Sequence, residues 1–524
     1  MFYFVPAWYN SHRPWSYETP LWFRVYERMV FDDTINQYRM FENAGEEGRL
    51  LILNYHPQLR YFLHKQSLAG TSYWSFFDDV QNIQQHETKA IDFKVLNWPE
   101  DISFFHSPFA VIAKSQGRVY AHIQFAENGN LLQIEILGDG YTERIYYFDD
   151  RGFLSSLLFL DESGQKVRQD YLNTNGVWQI REYFDGEEVV IEVNPQSDTH
   201  FQKNTYTSWE SLIAERLSTY RKRLMSEEDH VIIAADEQHN QLLLGAFPEQ
   251  GKIFSFFGSR YDYKNQNDLD KLIQNAKLIV LDTEKQEHQF WATASLCSLP
   301  LTQIKSLRVS TFDTRLRLGH SQMVKELNIH FFIDTISDQE IAQLLPPLLD
   351  QLSQNPLFHL DFVSFDSSRD LTGLQDRVEE HISKHYQRED FYMTTEDSGE
   401  NQLEEGEMEL KNISFSHLTN EIQLIQKLDT ARLVIDLGQV PDLYTQIASI
   451  SAGVPQINVV ESEYVEHQKN GWILRDTQEL SLAMSYYFDG LANWNASLVY
   501  AVEKMSEYTS GRLLERWKLL LAVD

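Results

Sequence analysis

The sequence predicts an α/β protein of two Rossmann-like domains, with an antiparallel β-sheet inserted into the first. Three observations carry this. Short apolar runs alternate with amphipathic helical stretches near the start of the chain, the mark of parallel strand–helix–strand units. From Phe104 to Val193 the pattern becomes short alternating segments divided by Gly-containing turn pairs. The strand–helix rhythm then resumes and runs through a second unit.

Phe2 to Val5, ended by Pro6, is a buried first strand. A ring-rich loop from Trp8 to Trp22 follows it. Trp22 to Ala44 has helical spacing, with Phe23, Tyr26, Met29, Val30 and Phe41 among its apolar positions, and Gly45 and Gly48 close it. Leu50 to Leu53 is the second buried strand. In the alternating block, Asn128-Gly129, Arg151-Gly152, Ser163-Gly164, Asn175-Gly176 and Asp185-Gly186 mark hairpin turns, with both central residues expected at positive φ. Thr207 and Glu210 then form a capping-box pattern before Leu212, Ile213 and Leu217. Strands are expected at 231–235, 253–257 and 278–281, and in the second unit at 329–333, 359–363, 412–416, 433–436 and 456–460. The implied division is a first Rossmann-like domain of residues 1–100 and 201–305, an inserted sheet at 101–200, a second Rossmann-like domain at 306–490, and a C-terminal helix within 491–524 that returns to the first domain. The two Rossmann-like domains are expected to face across a cleft. The acidic stretch 395–409 is expected to be a mobile loop.

The chain of 524 residues has 77 acidic and 45 basic side chains, a net charge of -32. Such a field repels nucleic acid and anionic lipid, and no Lys/Arg run offsets it. Cys297 is the one cysteine, so no disulfide framework or cysteine-based zinc site is possible. The N-terminus has no basic region ahead of its apolar run, unlike a signal peptide. No stretch reaches the ~20 apolar residues that cross a bilayer. A cytoplasmic protein that meets membrane only through partners is expected, with no cofactor.

Helix N-termini at the carboxyl ends of parallel strands are anion sites. Two lie in the second unit. Asp334 to Glu340 follows one strand, and Ser337 with Glu340 forms a capping box that starts a helix at Asp338. Gly438-Gln-Val-Pro-Asp442 follows another, with Pro441 at the first helical position and Asp442 in the first turn. Acids here favour the helix start by about 0.3–1 kcal/mol each but repel phosphate. Capping and ligand contact are both open to them. Gly138-Asp-Gly140 lacks the third Gly of a dinucleotide fingerprint and reads as a hairpin turn. No phosphate-binding, zinc-protease or serine-hydrolase motif occurs. The 17 histidines are scattered, as surface or satisfied core residues rather than ligands. The loop after the first strand gathers Trp8, Tyr9, Asn10, His12, Arg13, Trp15, Tyr17 and Trp22. Rings with polar neighbours suit sugar C–H faces and hydroxyls. They equally suit a core or a protein interface.

Met1-Phe-Tyr-Phe-Val-Pro-Ala-Trp-Tyr-Asn10, Arg13-Pro-Trp15 and Asn54-Tyr-His-Pro-Gln-Leu-Arg-Tyr-Phe62 resemble the first of the accessory secretory proteins of the Gram-positive accessory Sec system, along the whole chain. That resemblance implies two Rossmann-like domains in a GT-B glycosyltransferase arrangement with an inserted extended β-sheet. Active retaining relatives carry a Glu–x7–Glu pair before a Gly-x-Pro turn. On the register set by Gly453-x-Pro455, Val440 and Ala448 stand at those acidic positions, and the diphosphate-binding Arg and Lys fall near Asp334 and Glu340. Each lost charged contact costs about 1.5–3 kcal/mol, so no catalytic residue is expected. The implied role is a non-catalytic adaptor that works with the second and third accessory secretory proteins and the accessory Sec motor ATPase. It would deliver a serine-rich-repeat adhesin bearing N-acetylglucosamine-type glycans, held through Trp8, Tyr9, Asn10, Arg13, Trp15 and Tyr17. The alternative is an active O-GlcNAc-type transferase, or its co-subunit, acting on Ser/Thr-rich repeats.

Overall fold

The computed structural model describes the chain apart from residues 11, 23–31, 86, 139, 185, 187–188, 310–316, 394–409, 420 and 523–524. It divides into two compact units, one of Met1–Val25, Asp32–Val309 and Leu514–Asp524, the other of Tyr26–Phe31 and Ser310–Leu513.

In the first unit a parallel sheet of seven strands has the order Tyr73–Ser75, Gly48–Ile52, Phe2–Val5, His230–Ala234, Gly251–Phe256, Ala276–Leu281, Ser306–Arg308. The chain runs outward one way from Phe2–Val5, then restarts beside it at His230–Ala234 and runs the other way. This is the doubly wound order, whose reversal point is the usual ligand crevice. Phe4, Val5, Leu51, Val231, Ile233 and Phe254 are all fully buried, as strands covered on both faces require.

The same unit holds a ten-stranded antiparallel sheet in which the strands from Ser103–His106 to Thr205–Tyr206 lie in sequence order. One end builds its own core from Val111, Ala121, Ile123, Ile134 and Phe148. At the other end Tyr171, Ile180 and Ile191 join the core that contains Tyr3 and Val5. Arg151 ties the sheet down by bonding Asp149 at 2.8 Å and Asp78 at 2.7 Å. Gly152 beside it has φ +90 and no room for a side chain, since a Cβ there would stand 1.7 Å from the Lys89 carbonyl oxygen.

The hairpin turns differ from expectation in one respect. Gly129, Gly152, Gly164 and Gly176 take positive φ, but Asn128, Arg151, Ser163 and Asn175 do not. At Asn128-Gly129 the Gly129 amide donates to Ala126 and the Ala126 amide to Asn130, which is a type I turn followed by a left-handed Gly. The longer loop needs only one left-handed residue. Gln116-Gly117, with φ 51 and 77, is a turn where both are positive. Asp185 lies outside the described residues, as do Phe23, Tyr26, Met29, Val30 and the acidic stretch 395–409. The helix expected over Trp22–Ala44 starts only at Asp33: Asp32 is in extended backbone and caps Asp33–Asn43, accepting the Ile35 amide.

The helix expected after Thr207 begins one residue later. Ser208 is the cap, taking the Ser211 amide at 3.2 Å, and Glu210 instead accepts the Trp15 indole N–H. The single C-terminal helix expected within 491–524 is two, Leu491–Met505 and Ser510–Ala522. Trp517 of the second packs edge-on to Phe41 in the first unit, 5.3 Å between ring centres.

The second unit carries a six-stranded parallel sheet ordered Ile413–His417, Phe358–Ser364, Leu327–Phe332, Ala431–Asp436, Gln456–Asn458, Gly471–Ile473. Its reversal point lies between Leu327–Phe332 and Ala431–Asp436. Helix Asp338–Gln354 buries Ile341, Leu344, Leu345, Leu348, Leu349 and Leu352 against one face. Helix Leu443–Ala452 is almost wholly buried on the other and ends at Gly453, φ +70, where a Cβ would meet Leu498.

Candidate functional site

Each sheet's reversal point is a candidate ligand crevice, and the chain fills both with its own side chains. In the first unit the loops that follow Phe2–Val5 and His230–Ala234 meet there. The Tyr9 hydroxyl and His239 Nδ1 stand 2.6 Å apart across the gap. His239 Nε2 lies 2.7 Å from the Ala234 carbonyl oxygen. A carbonyl only accepts, so Nε2 carries the proton and Nδ1 accepts from Tyr9. Burial holds His239 neutral, its pKa lowered to about 3, and raises Tyr9 well above the usual phenol range.

The ring-rich loop is anchored residue by residue. Trp8 is buried, with its indole N–H donating to Asp32 at 2.9 Å and its ring edge-on to Phe62. Trp15 is 2% exposed, in a left-handed conformation at φ 59, and donates to Glu210 at 2.9 Å. Arg13 pairs with Glu182 at 2.6 Å, donates to the Tyr171 hydroxyl at 3.0 Å and lies over Phe184. Tyr17 stacks on His56 with ring centres 3.9 Å apart. Asn10 donates to Glu18 at 2.7 Å. Trp8 and Trp15 are therefore core residues, while Tyr9, Asn10, Arg13 and Tyr17 keep partial exposure. Beneath them Arg260 grips Asp33 with two bonds of 2.7 and 2.8 Å. Burial, and then the Asp33 charge, lift Asp32 to about 6.

The second unit gathers acids at its reversal point. Asp436 ends its strand, buried. It accepts from Thr335 Oγ1 at 2.6 Å and from the Gly438 and Asp442 amides at 3.2 and 2.7 Å. Asp334 accepts from Ser364 Oγ at 2.6 Å and from the Phe365 amide at 2.7 Å. Glu340 is exposed and closes the capping box with Ser337, as the sequence implied. Asp442 is the helix cap and not a first-turn residue. Its carboxylate takes both the Thr445 amide and hydroxyl at 2.7 Å, which places Pro441 before the helix. Val440 is exposed and Ala448 is buried in the helix core. Gly438 packs so tightly on Thr335 that an added Cβ would stand 2.3 Å from the Thr335 Cβ. Among the described residues no three His, Cys, Asp or Glu side chains form a group able to hold a metal.

Asp436, Thr335, His239 and Glu182 escaped the sequence reading. Asp436 was within reach, as the last residue of a strand at a reversal point. The other three are fixed only by pairing across the fold. Two histidines also differ from the expectation of satisfied core residues: His56 and His330 are buried and, among the described residues, have no hydrogen-bond partner on either ring nitrogen.

Burial first, and then the charges of Asp436 and Asp334, raise Asp442 to about 6, against the pull of its bonds to Thr445. Its folded pKa exceeds the ordinary 3.8. Protonation thus favours the folded state, and this group adds stability as pH falls from about 6 towards 3.8. Asp442→Asn keeps a capping oxygen and removes the charge. The variant is expected to be more stable than the parent at pH 7.5 by about 1–2 kcal/mol, given ~1.4 kcal/mol per pKa unit and partial exposure. The gain should vanish near pH 4. Urea unfolding at both pH values measures it, and an equal gain at both would refute the assignment.

The family model of the accessory Sec system protein numbered first, accessory secretory protein 1, matches residues 1–523. A protein of that description from Streptococcus gordonii is 37% identical over 535 residues, covering 100% of both chains. Among solved structures the chain is similar to one in the crystal structure of accessory secretory protein 1, 2 and 3 in Streptococcus pneumoniae, with 33% identity, 99% of each chain and a TM-score of 0.84. It is also similar to the pneumococcal O-GlcNAc transferase GtfA, solved with UDP and GlcNAc. There the TM-score is 0.67 over 99% of this chain and 98% of that one. At 12% identity that likeness is one of fold: a glycosyltransferase fold with parallel Rossmann-like sheets and a separate antiparallel sheet.

Proposed function

The chain belongs to the accessory secretory protein 1 family of the accessory Sec system, and we propose that it is a non-catalytic glycosyltransferase-like adaptor that holds glycosylated cargo for export. One observation carries the loss of catalysis. The crevice where a glycosyltransferase of this fold would clasp a sugar nucleotide is lined by Asp334, Asp436 and Asp442, and Thr335 is bonded across it to Asp436. Diphosphate recognition calls for cationic forks or free amides. Here the Gly438 and Asp442 amides are already taken by a carboxylate.

On this reading the chain assembles with the second and third accessory secretory proteins, the company its relative keeps in the pneumococcal crystal structure. It serves the accessory Sec motor ATPase in the cytoplasm and reaches the membrane through partners. Among the described residues no helix is long and apolar enough to cross a membrane. The cargo is a serine-rich-repeat adhesin carrying N-acetylglucosamine-type glycans. Tyr9, Asn10, Arg13 and Tyr17 supply the partly exposed polar and ring surface at the first reversal point.

Calorimetry with UDP-N-acetylglucosamine is expected to give no binding heat at 1 mM ligand, a level at which a Kd of about 1 mM would still show. An array of N-acetylglucosamine oligomers is expected to bind. Stoichiometric uptake of the nucleotide sugar, or transfer to a Ser/Thr-rich peptide, would establish the enzyme instead.

A further inference from the structure

We propose that the groove between the edge strand Ile413–His417 and the helix Glu421–Thr430 of the second unit binds a single sugar residue, a hexose-sized polyol. The groove encloses about 490 Å3 and is lined by Ser416, His417, Leu418, Gln423, Gln426 and Lys427. It opens at the edge strand, two strands away from the acid-lined reversal point. Its walls follow from the local sequence. The strand ends at Ser416-His417, and the helix sets positions 423, 426 and 427 three and four apart, on one face.

The chemistry of the lining selects the ligand. Lys427 Nζ lies 2.6 Å from Asp361 Oδ2 and donates to Ser416 Oγ at 3.1 Å. Ser416 in turn donates to Asp361 Oδ1 at 2.8 Å. The ammonium is thus neutralised and held in place. His417 Nε2 stands 3.1 Å from the Arg369 carbonyl oxygen and donates its N–H to it. Gln426 is exposed and offers an amide with two donors and an acceptor. Leu418 backs the groove at 3% exposure, and the aliphatic stem of Lys427 adds apolar surface at its mouth. Fixed donors and acceptors around a small apolar surface match the vicinal hydroxyls and C–H face of a pyranose. An anion is disfavoured, because Asp361 cancels Lys427 and the chain carries a net charge of -32.

Behind this lining His330, directly opposite Asp361 in the strand register, is 3% exposed and has no hydrogen-bond partner on either ring nitrogen among the described residues. Burial lowers its pKa to about 4, so it stays neutral and leaves Asp361 to Lys427. This inference rests on the glycan-holding role proposed above and adds a sugar contact within the second unit.

Saturation-transfer NMR with N-acetylglucosamine, glucose and uridine on the full chain tests the assignment. Millimolar binding of the two sugars is expected. Gln426→Ala, an exposed position that folding tolerates, should weaken it about tenfold, the loss of roughly one hydrogen bond of 1.4 kcal/mol. Lys427→Met should weaken it at least as much, with folding checked by circular dichroism. Three results would overturn the site: sugar binding unchanged in Gln426→Ala, no sugar binding at all, or uridine preferred over both sugars. Binding lost in Tyr17→Ala but kept in Gln426→Ala would also overturn it, while leaving the glycan-reading role standing.

Discussion

Replacing Arg260 by Ala is expected to destabilise the first unit by about 3–5 kcal/mol, the usual cost of stranding one partner of a buried ion pair. Arg260 holds both Asp33 oxygens, and its guanidinium also donates to the backbone carbonyls of Ala235 and Ser255 at 2.9 Å. Asp33 is 1% exposed and, among the described residues, would keep only the Ser255 hydroxyl, at 2.6 Å. Asp32 already sits at about 6 because of burial and the Asp33 charge, and Arg260 is what restrains that rise. Without it the folded state takes up protons more readily, so the deficit should narrow as pH falls from 7 to 5. Asp33→Asn added to Arg260→Ala should recover at least half the loss. Urea titrations of the parent and the two variants settle the matter, and a loss under 1 kcal/mol in Arg260→Ala would mean that the pair is not desolvated.

The two Rossmann-like sheets and the antiparallel block were legible because their signals are periodic and local. Strands buried on both faces read as unbroken apolar runs, as in Leu433-Val-Ile and Leu278-Ile-Val-Leu. The Ser337–Glu340 capping box was legible for the same reason, since both partners lie within one turn. Cap positions and turn types were less secure. Ser208 is the cap in place of Thr207, and Glu210 pairs with Trp15, 195 residues away in sequence. The candidate site was legible as composition and not as geometry. The acids at the second reversal point could be counted, but their closure of the crevice depends on Thr335 meeting Asp436 and on Gly438 lying against Thr335. The ring cluster was visible as a cluster, but whether a ring faces solvent depends on partners such as Phe62 and Glu210, which no local pattern reveals.

That difference decides how the aromatic loop has to be probed. Arg13→Ala is expected to cost about 3–5 kcal/mol through its buried partner. Glu182 is 6% exposed and also accepts from Trp209 at 2.9 Å and from Tyr171 at 3.1 Å. Those two neutral donors cannot replace a guanidinium 2.6 Å away. The antiparallel strands Lys166–Leu172 and Trp178–Tyr183 carry Tyr171 and Glu182, so the loss should loosen the join between that sheet and the loop after the first strand. Proteolysis near residues 8–17 should quicken along with the drop in stability. Arg13→Lys should recover only part, because one ammonium cannot reach both Glu182 and the Tyr171 hydroxyl with the same geometry. Tyr17→Ala and Asn10→Ala touch the half-exposed rim and should leave the fold within about 1–1.5 kcal/mol of the parent. If glycan binding falls in those two variants while thermal unfolding stays near the parent, the loop holds sugar. If Arg13→Ala loses neither stability nor protease resistance, the ion pair does not anchor the loop, and the buried Trp8 and Trp15 alone hold it to the core.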